Sequence, residues 1–171
     1  MAADRRVAIV TGGSRGIGKA TVHRLAAGGY RVVVNYLHDR RTAEDVVDQI
    51  LGAGGEAVAV RADVADEWDV ARLFAETSYV FGGVDIVVHT VGGRTTAATL
   101  LVHRQAARDL RDGGTVVNFA DVELPRTLAA ELRLRRITVV GVAIEAGGPC
   151  DPERAADLVA LLVSARRAPP R

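Results

Sequence analysis

The segment from Val7 to Gly18 constrains the fold most strongly, because an apolar run passes through a glycine-rich turn directly into an amphipathic stretch. In a strand–turn–helix unit of this kind, Gly12 permits the sharp turn, Gly16 permits close approach of a pyrophosphate, and Gly18 lets the helix pack against the sheet. The helix amino terminus then offers free N–H groups and a positive dipole end to the phosphates. The segment therefore predicts a dinucleotide-binding unit; a tight turn without a ligand is the alternative.

Short β-branched runs alternate with longer amphipathic stretches along the rest of the chain. The expected strands cover residues 7–11, 31–35, 57–61, 85–89, 115–119 and 137–144. The expected helices cover residues 17–27, 42–51, 66–79, 100–110, 128–134 and 151–166. This alternation predicts an α/β fold, a doubly wound and mostly parallel Rossmann sheet of about six strands with helices on both faces. We expect one domain over residues 1–171, with a fraying tail from residue 165.

Composition excludes several classes of protein. The net charge is +1 over 171 residues, so charge favours neither a nucleic-acid nor a membrane partner. The apolar runs are too short to span a bilayer, and the first strand begins too early to leave room for a signal peptide. A single cysteine, Cys150, excludes an internal disulfide and suits a reducing compartment. We therefore expect a cytoplasmic protein in which Cys150 is an ordinary small residue.

Several motifs carry a resemblance to a known family. The stretch Thr-Gly-Gly-Ser-Arg-Gly-Ile-Gly at residues 11–18 resembles the Thr-Gly-x-x-x-Gly-x-Gly signature of the short-chain dehydrogenases/reductases. Residues 32–36 resemble the second strand of their NADP-preferring ketoreductases, and residues 81–88 resemble the strand that leads to their Asn-Asn-Ala-Gly motif. Asp63 and Val64 resemble their adenine-contacting pair. The resemblance covers residues 5–88 and implies a cofactor site, whose residues would be Gly12, Ser14, Arg15, Gly16, Ile17, Gly18, Asn35, Tyr36, Asp63 and Val64.

The type of cofactor is indicated by charge. An NAD site usually places an acidic residue after the second strand, where it binds the ribose hydroxyls. That position holds Asn35 and Tyr36, and the next carboxylate is Asp39. Arg15 lies in the glycine turn, and Arg40 follows the second strand. For Arg41, a solvated position at the start of a helix is the simpler interpretation than phosphate binding. Because a guanidinium can clamp a 2′-phosphate, we expect NADP(H) in preference to NAD(H).

The catalytic half of the resemblance fails. The family uses a Tyr as general acid, a Lys four residues later that lowers its pKa, and a Ser that orients the carbonyl. The tyrosines at positions 30, 36 and 79 have no lysine four residues on, and the only lysine is Lys19. Residues 114–121 resemble the family's fifth strand, and residues 128–139 already resemble the end of the next helix and the sixth strand. The segment that would carry Tyr and Lys is missing.

Three polar residues replace family motifs at the ends of strands. His89 stands at the first position of the family's Asn-Asn-Ala-Gly motif, and Asp121 stands at the position of the catalytic Ser. Glu145 follows the sixth strand. In neighbouring strands they could form an acid–base cluster or a metal site, or they are solvated loop residues left by drift; we predict no metal. We expect His103 at the surface of a helix, and Trp68 and Tyr79 at spacings that suit packing.

These observations support three hypotheses for function. The chain is an NADP(H)-binding module with little or no turnover; it is an NADPH-dependent ketone reductase that uses non-standard residues or a partner chain; or it is a remnant without useful affinity. Loss of general acid–base catalysis costs about 10²–10⁴ in rate, which favours the binding module. The sixth strand would be a sheet edge, and an uncovered apolar edge favours a homodimer; the alternative is a monomer in which Gly141, Arg135 and Arg136 blunt the edge.

Overall fold

A computed structural model describes residues 5–90, 96–119, 123–142 and 151–165. Twelve elements alternate along these residues. The strands are β1 (Val7–Thr11), β2 (Arg31–Tyr36), β3 (Glu56–Arg61), β4 (Val84–His89), β5 (Leu110–Asn118) and β6 (Thr138–Gly141). The helices are α1 (Gly16–Ala27), α2 (Arg40–Gly52), α3 (Glu67–Phe81), α4 (Thr96–Asp109), α5 (Arg126–Leu134) and α6 (Pro152–Ser164).

The six strands form one sheet in the order β3-β2-β1-β4-β5-β6, and every pairing is parallel. The register brings Thr11 opposite His89, and His89 opposite Asn118, so the carboxyl ends of β1, β4 and β5 are level. The strand order reverses direction between β1 and β4, which is where open α/β sheets bind their ligands. The doubly wound Rossmann fold is confirmed.

Each face of the sheet is covered by three helices. Val10 and Val34 belong to a core that α1, α2 and α6 complete, whereas Ile9 and Val33 point to the opposite core, which α3, α4 and α5 complete. Because successive strand residues point to opposite faces, both of these cores need apolar residues at consecutive positions. The near-continuous apolar strands of the sequence follow from this requirement.

Helix ends follow the capping residues. The carboxylates of Asp39, Asp66 and Asp151 accept backbone N–H bonds at the starts of α2, α3 and α6, which satisfies donors that a helix leaves unpaired in its first turn. At the end of α3, Gly82 adopts φ 83°, a left-handed conformation that a side chain would disfavour. No described helix is long and apolar enough to cross a membrane.

Some expectations about elements are corrected. Strand β5 begins at Leu110, five residues earlier than expected, and β6 is described only as Thr138–Gly141, with residues 143 and 144 outside the described part. Trp68 and Tyr79 are 85% and 92% exposed, so the expectation that they pack into the molecule is wrong. Val70, Leu73, Phe74 and Thr77 form the buried face of α3 instead. Cys150 and residues 166–171 lie outside the described residues.

Candidate functional site

The glycine turn has the backbone geometry that its sequence predicts. Gly12 and Gly16 adopt φ 63° and 50°, values that residues with a side chain rarely take. A Cβ at Gly18 would lie 2.1 Å from the carbonyl oxygen of Gly12, so only glycine fits where α1 meets the turn. A Cβ at Gly16 would meet nothing within 4 Å, so the backbone at that point borders open space. The turn is therefore packed on its inner side and open on the outer side.

The amino terminus of α1 lacks internal acceptors. Arg15 is its N-cap residue and makes no side-chain capping bond, and no acidic residue lies in the first turn. A helix leaves its first N–H groups without backbone partners, and they carry the positive end of the dipole. Arg15 adds a guanidinium whose side chain is 71% exposed. This end of α1 can accept an anion that approaches the open side of the turn.

Asn35 holds the glycine turn in place by hydrogen bonds. Its side chain is 2% exposed and its Oδ1 accepts from the N–H of Gly12 at 3.3 Å, while Nδ2 donates to the carbonyl of Ala62 at 3.0 Å. Its backbone carbonyl also accepts from Gly13 N–H at 2.9 Å. The Asn35 side chain thus joins the turn to β2 and to the end of β3. Its neighbour Tyr36 is 8% exposed at the end of β2.

Arg15 is paired in a way that the sequence did not reveal. Its Nη2 donates to Oδ2 of Asp39 at 2.5 Å. The same carboxylate accepts from the hydroxyl of Thr42 at 2.6 Å and from the N–H of Thr42 at 3.0 Å. The Thr42 bonds, and then the Arg15 guanidinium, lower the pKa of Asp39 to about 2. A permanent carboxylate therefore lies beside the guanidinium that we expected to bind a 2′-phosphate.

The other two arginines after β2 differ from each other. Arg40 donates to Glu44 at 2.6 Å along α2, whereas Arg41 is exposed and has no hydrogen bond or ion pair within the described ranges. The spacing of Asp39 and Thr42 at a helix start is the sequence signal for the Asp39 cap alone, because an N-cap aspartate accepts from the residue three positions later.

Asp63 and Val64 follow the end of β3 at the same edge of the sheet. Asp63 is half-buried, and its Oδ1 accepts from the N–H of Ala65 at 2.9 Å. Its own N–H donates to Oδ2 of Asp69 at 2.8 Å, which fixes this loop to α3. Val64 is buried, with 7% exposure. Ser14 and Ile17 complete the expected cofactor residues. Ser14 is buried in the turn, and Ile17 is half-buried at the start of α1.

His89 lies at the end of β4 and is 4% exposed. Its Nδ1 is 2.9 Å from the hydroxyl of Thr11, and its Nε2 is 3.4 Å from the hydroxyl of Thr99 on α4. The Thr11 hydroxyl also accepts from the N–H of Thr90, and the Thr90 hydroxyl donates to the carbonyl of Thr11. The imidazole is thus enclosed between the ends of β1 and β4 and helix α4.

His103 is a second buried histidine, and the expectation that it lies on the surface is wrong: it is 0% exposed. The carbonyl of Thr99 can only accept, so His103 Nδ1 donates to it at 2.6 Å. The other ring nitrogen of the neutral histidine then accepts from Asn118 Nδ2 at 2.9 Å. This leaves Oδ1 of Asn118 buried without a hydrogen-bond partner among the described residues.

Both histidines are held neutral at physiological pH. Burial and then the neighbouring His103 lower the pKa of His89 to about 4. Burial lowers the pKa of His103 as well. A neutral imidazole with both nitrogens engaged inside the protein suits a packing role between β4, β5 and α4 better than proton transfer to a bound substrate.

The remaining candidates give no catalytic pair. Asp121 and Glu145 lie outside the described residues, so their expected cluster with His89 stays a prediction. Tyr79 is exposed on α3, and the buried Tyr30 precedes β2 at the amino end of the sheet. Lys19 lies on α1. The described part of the site is therefore a glycine turn with an open anion-binding end, beside a closed polar cluster.

Comparison with known proteins agrees with this geometry. The family model for short chain dehydrogenases matches residues 6–113. Versicolorin reductase 1 of Aspergillus parasiticus is 40% identical over 133 residues, which cover 67% of this chain and 51% of that protein. The 3-oxoacyl-[acyl-carrier-protein] reductase of a Synechocystis species is 39% identical over 151 residues, which cover 84% of this chain and 59% of that protein. The chain spans about half the length of the curated relatives it matches.

A solved structure shares the fold. The short chain dehydrogenase of Burkholderia cenocepacia J2315 in complex with NADP has 29% sequence identity and a TM-score of 0.72, with 94% of this chain and 90% of that chain covered.

Proposed function

The chain belongs to the short-chain dehydrogenase family, and from that premise we propose that it binds NADP(H) at its glycine turn and has little or no turnover of its own. One asymmetry carries the proposal. The cofactor-binding turn keeps its glycines and their geometry, whereas the sequence contains no tyrosine with a lysine four residues later.

The pyrophosphate would lie at the open side of the turn. Gly16 lets the backbone approach it, while Ser14 lies in the turn and Ile17 at the start of α1. The N–H groups at the start of α1 would donate to the phosphate oxygens, as they do at other helix amino termini. Asp63 and Val64 would border the adenine at the end of β3.

NADP(H) is favoured over NAD(H) by the residues at the end of β2. Asn35 and Tyr36 stand where an NAD site places a carboxylate, and Arg15 and Arg40 supply guanidinium groups for a 2′-phosphate. The NADP complex of the Burkholderia protein supports the same choice. Asp39 opposes it, because its carboxylate competes with a phosphate for Arg15.

Bound NADPH would supply a hydride, but this chain offers no matched proton donor in its described part. His89 is neutral and enclosed, and Lys19 is on α1 rather than beside a tyrosine. General acid–base catalysis contributes about 10²–10⁴ in rate, so its loss leaves a binding module.

The second candidate is an NADPH-dependent ketone reductase. It is favoured by the relatives, since versicolorin reductase 1 and the Synechocystis protein are both named as reductases. Such an enzyme would use His89, Asp121 and Glu145, or groups from a partner chain. No metal is part of either candidate.

The test measures binding and turnover on one preparation. We expect calorimetric titration to give micromolar or tighter affinity for NADPH and weaker affinity for NADH, with Arg15→Ala narrowing the difference. Arg104→Ala is the matched control, because Arg104 is exposed on α4. With simple ketones and a 3-oxoacyl thioester, NADPH oxidation should stay far below the common enzyme rate of about 10 s⁻¹.

Each of the other outcomes would contradict part of this proposal. Turnover near that rate would establish the reductase, and the absence of any cofactor affinity would leave only a folded remnant. Equal affinity for the two cofactors would remove the preference for NADP(H).

A homodimer and a cytoplasmic location complete the proposal. The location rests on the single cysteine. The homodimer rests on β6, which is the edge strand next to β5 in the described sheet. Edge strands expose unpaired backbone groups, and a second copy can cover them.

A further inference from the structure

Two large aromatic side chains project from one face of α3 into solvent. Trp68 is 85% exposed and Tyr79 is 92% exposed. A single exposed apolar residue needs no explanation, but tryptophan and tyrosine are enriched at protein interfaces, and here both lie exposed along one line of a helix. The helix itself is firmly anchored, because Leu73 and Phe74 on its opposite face are at most 1% exposed.

The spacing of the outer face is that of a helix–helix seam. Trp68, Arg72, Ala75 and Tyr79 follow one another at intervals of four, three and four residues. At 3.6 residues per turn these positions fall in one stripe, and the intervals are those of alternating core positions in a heptad. All four residues are exposed.

We propose that this stripe of α3 binds the same stripe of a second copy of the chain, with the two helices antiparallel across a twofold axis. The axis would pass between Leu73 and Phe74, midway along the stripe. Trp68 of each copy then lies opposite Tyr79 of the other, and Arg72 lies opposite the small Ala75. Each large side chain therefore meets either an aromatic ring or a space that alanine leaves.

The charges on this face suit such a pairing. Arg72 donates to Asp69 at 2.8 Å and to Glu76 at 2.9 Å, and also to the carbonyl of Arg61 at 2.8 Å. These bonds hold the guanidinium in place before any partner arrives. The twofold axis places Arg72 of one copy one residue away from the level of Glu76 of the other. At a rise of about 1.5 Å per residue, the two positions differ by about 1.5 Å along the helix axis. The arginine can then bridge carboxylates of both copies.

The area of the patch is sufficient for a reversible dimer. Aromatic side chains bury about 150–250 Å² each, so the four rings of two copies would supply on the order of 700 Å². Stable interfaces bury about 1,200–2,000 Å² in total, and the stems of Arg72 and Glu76 with the flanking helix surface supply part of the remainder. We expect a dimer that dissociates on dilution.

This inference rests on the proposed homodimer, and it is independent of cofactor binding. It places the contact of that homodimer on α3, and contact through the edge of β6 is the other outcome that the test distinguishes.

The test uses Trp68, the only tryptophan of the chain, as its reporter. In sedimentation the native chain should move as a species of twice the 18.1 kDa chain mass at high concentration. Its tryptophan emission should shift to longer wavelength on dilution. Tyr79→Glu should weaken dimerisation at least tenfold and give the long-wavelength emission at every concentration. Leu134→Glu is the control, because Leu134 is 84% exposed on α5 and should leave the dimer intact.

The outcomes separate the two levels of the proposal. A native chain that is monomeric at every concentration overturns both the homodimer and its α3 contact. A dimer that survives both Tyr79→Glu and Trp68→Glu overturns the α3 contact and leaves the homodimer to another surface. Circular dichroism and thermal unfolding of the variants establish that they are folded, which their exposed positions lead us to expect.

Discussion

At the scale of single residues, Asp39 pairs with Arg15, the arginine that we propose binds the 2′-phosphate. Its carboxylate caps α2 through Thr42 and binds Arg15 at 2.5 Å. A 2′-phosphate would have to share Arg15 with this anion and would be repelled by it. We therefore predict that Asp39→Asn tightens NADPH binding by about three- to tenfold and leaves NADH binding unchanged. Calorimetric titration with both cofactors measures the difference.

The substitution is chosen to keep the helix start intact, since asparagine caps helices as well as aspartate does. Asp66→Asn is the matched control, because Asp66 caps α3 in the same manner and has no ion pair with Arg15. An unchanged or weaker affinity for NADPH in Asp39→Asn would mean that Asp39 positions Arg15 for the phosphate rather than competing with it.

His89 gives the protein a pH-dependent stability. Its pKa is lowered to about 4 in the folded chain, against about 6.5 in an unfolded one. Between these values the unfolded chain binds a proton that the folded chain does not, so stability is full above about pH 6.5 and is lost as the pH falls towards 4. The shift corresponds to about 3 kcal/mol. We predict that urea unfolding at a series of pH values shows this loss. His89→Gln should make the slope of the unfolding free energy against pH shallower.

The control for this effect is His38→Gln, since His38 is exposed. It should leave the slope of unfolding free energy against pH as it is in the native chain. An equal slope in the native chain and in His89→Gln would show that other groups cause the acid sensitivity.

At the scale of elements, the glycine turn and α1 depend on one close contact. Because a Cβ at Gly18 would lie 2.1 Å from the Gly12 carbonyl oxygen, Gly18→Ala must push α1 away from the turn. We predict a loss of about 1–3 kcal/mol in the free energy of unfolding, as for other overpacked sites. Cofactor affinity should fall with it, because the donors at the start of α1 move.

Gly52→Ala is the control for Gly18→Ala. Gly52 is the last residue of α2, and an added Cβ would meet nothing within 4 Å. Alanine should be neutral or stabilise the helix by up to about 1 kcal/mol. Equal unfolding midpoints for the two variants would contradict the packing argument.

The elements themselves could be predicted from sequence to within a few residues in most cases. Continuous apolar runs predict the strands, and Asp151 followed by Pro152 has the residue types typical of a helix start, where α6 begins. The start of β5 was missed because Gly113 and Gly114 interrupt its apolar run. The exposure of Trp68 and Tyr79 was missed because a tryptophan on a helix is more often buried, and sequence spacing alone does not say which face meets the sheet.

The site was predicted unevenly for a physical reason. The turn is encoded locally, since Gly12 and Gly16 adopt positive φ angles within it and a Cβ at Gly18 would clash with Gly12. The pairs Arg15 with Asp39 and His103 with Asn118 join residues 24 and 15 positions apart, and nothing in their local sequence reports the contact. Histidine on a helix is usually exposed, so the sequence predicts His103 at the surface; the Thr99 carbonyl and the Asn118 amide, one on each ring nitrogen, stabilise it in the core.

At the scale of the whole molecule, the two faces of the sheet are closed by helices that are distant in sequence. Helix α6 packs against α1 near the carboxyl terminus of the described chain, where Val159 and Val163 are 0% exposed. Arg24 of α1 pairs with Asp157 of α6 at 2.6 Å, and Arg6 donates to the carbonyl of Val163. Helix α6 thus completes the core that it shares with α1, although the sequence holds no tyrosine with a lysine four residues later.

This arrangement predicts that cofactor binding depends on the last helix. Val159→Asp would bury an unpaired carboxylate in the core that α1 and α6 share, which we expect to cost more than about 4 kcal/mol in the free energy of unfolding and to abolish NADPH binding. Leu161→Asp, in the same helix but 64% exposed, should change stability by about 0.5 kcal/mol or less and leave binding intact. Urea unfolding and calorimetric titration of both variants measure this. If Val159→Asp unfolds at the same urea midpoint as the native chain and still binds NADPH, then α6 is dispensable. The first βα units would then bind the cofactor without it.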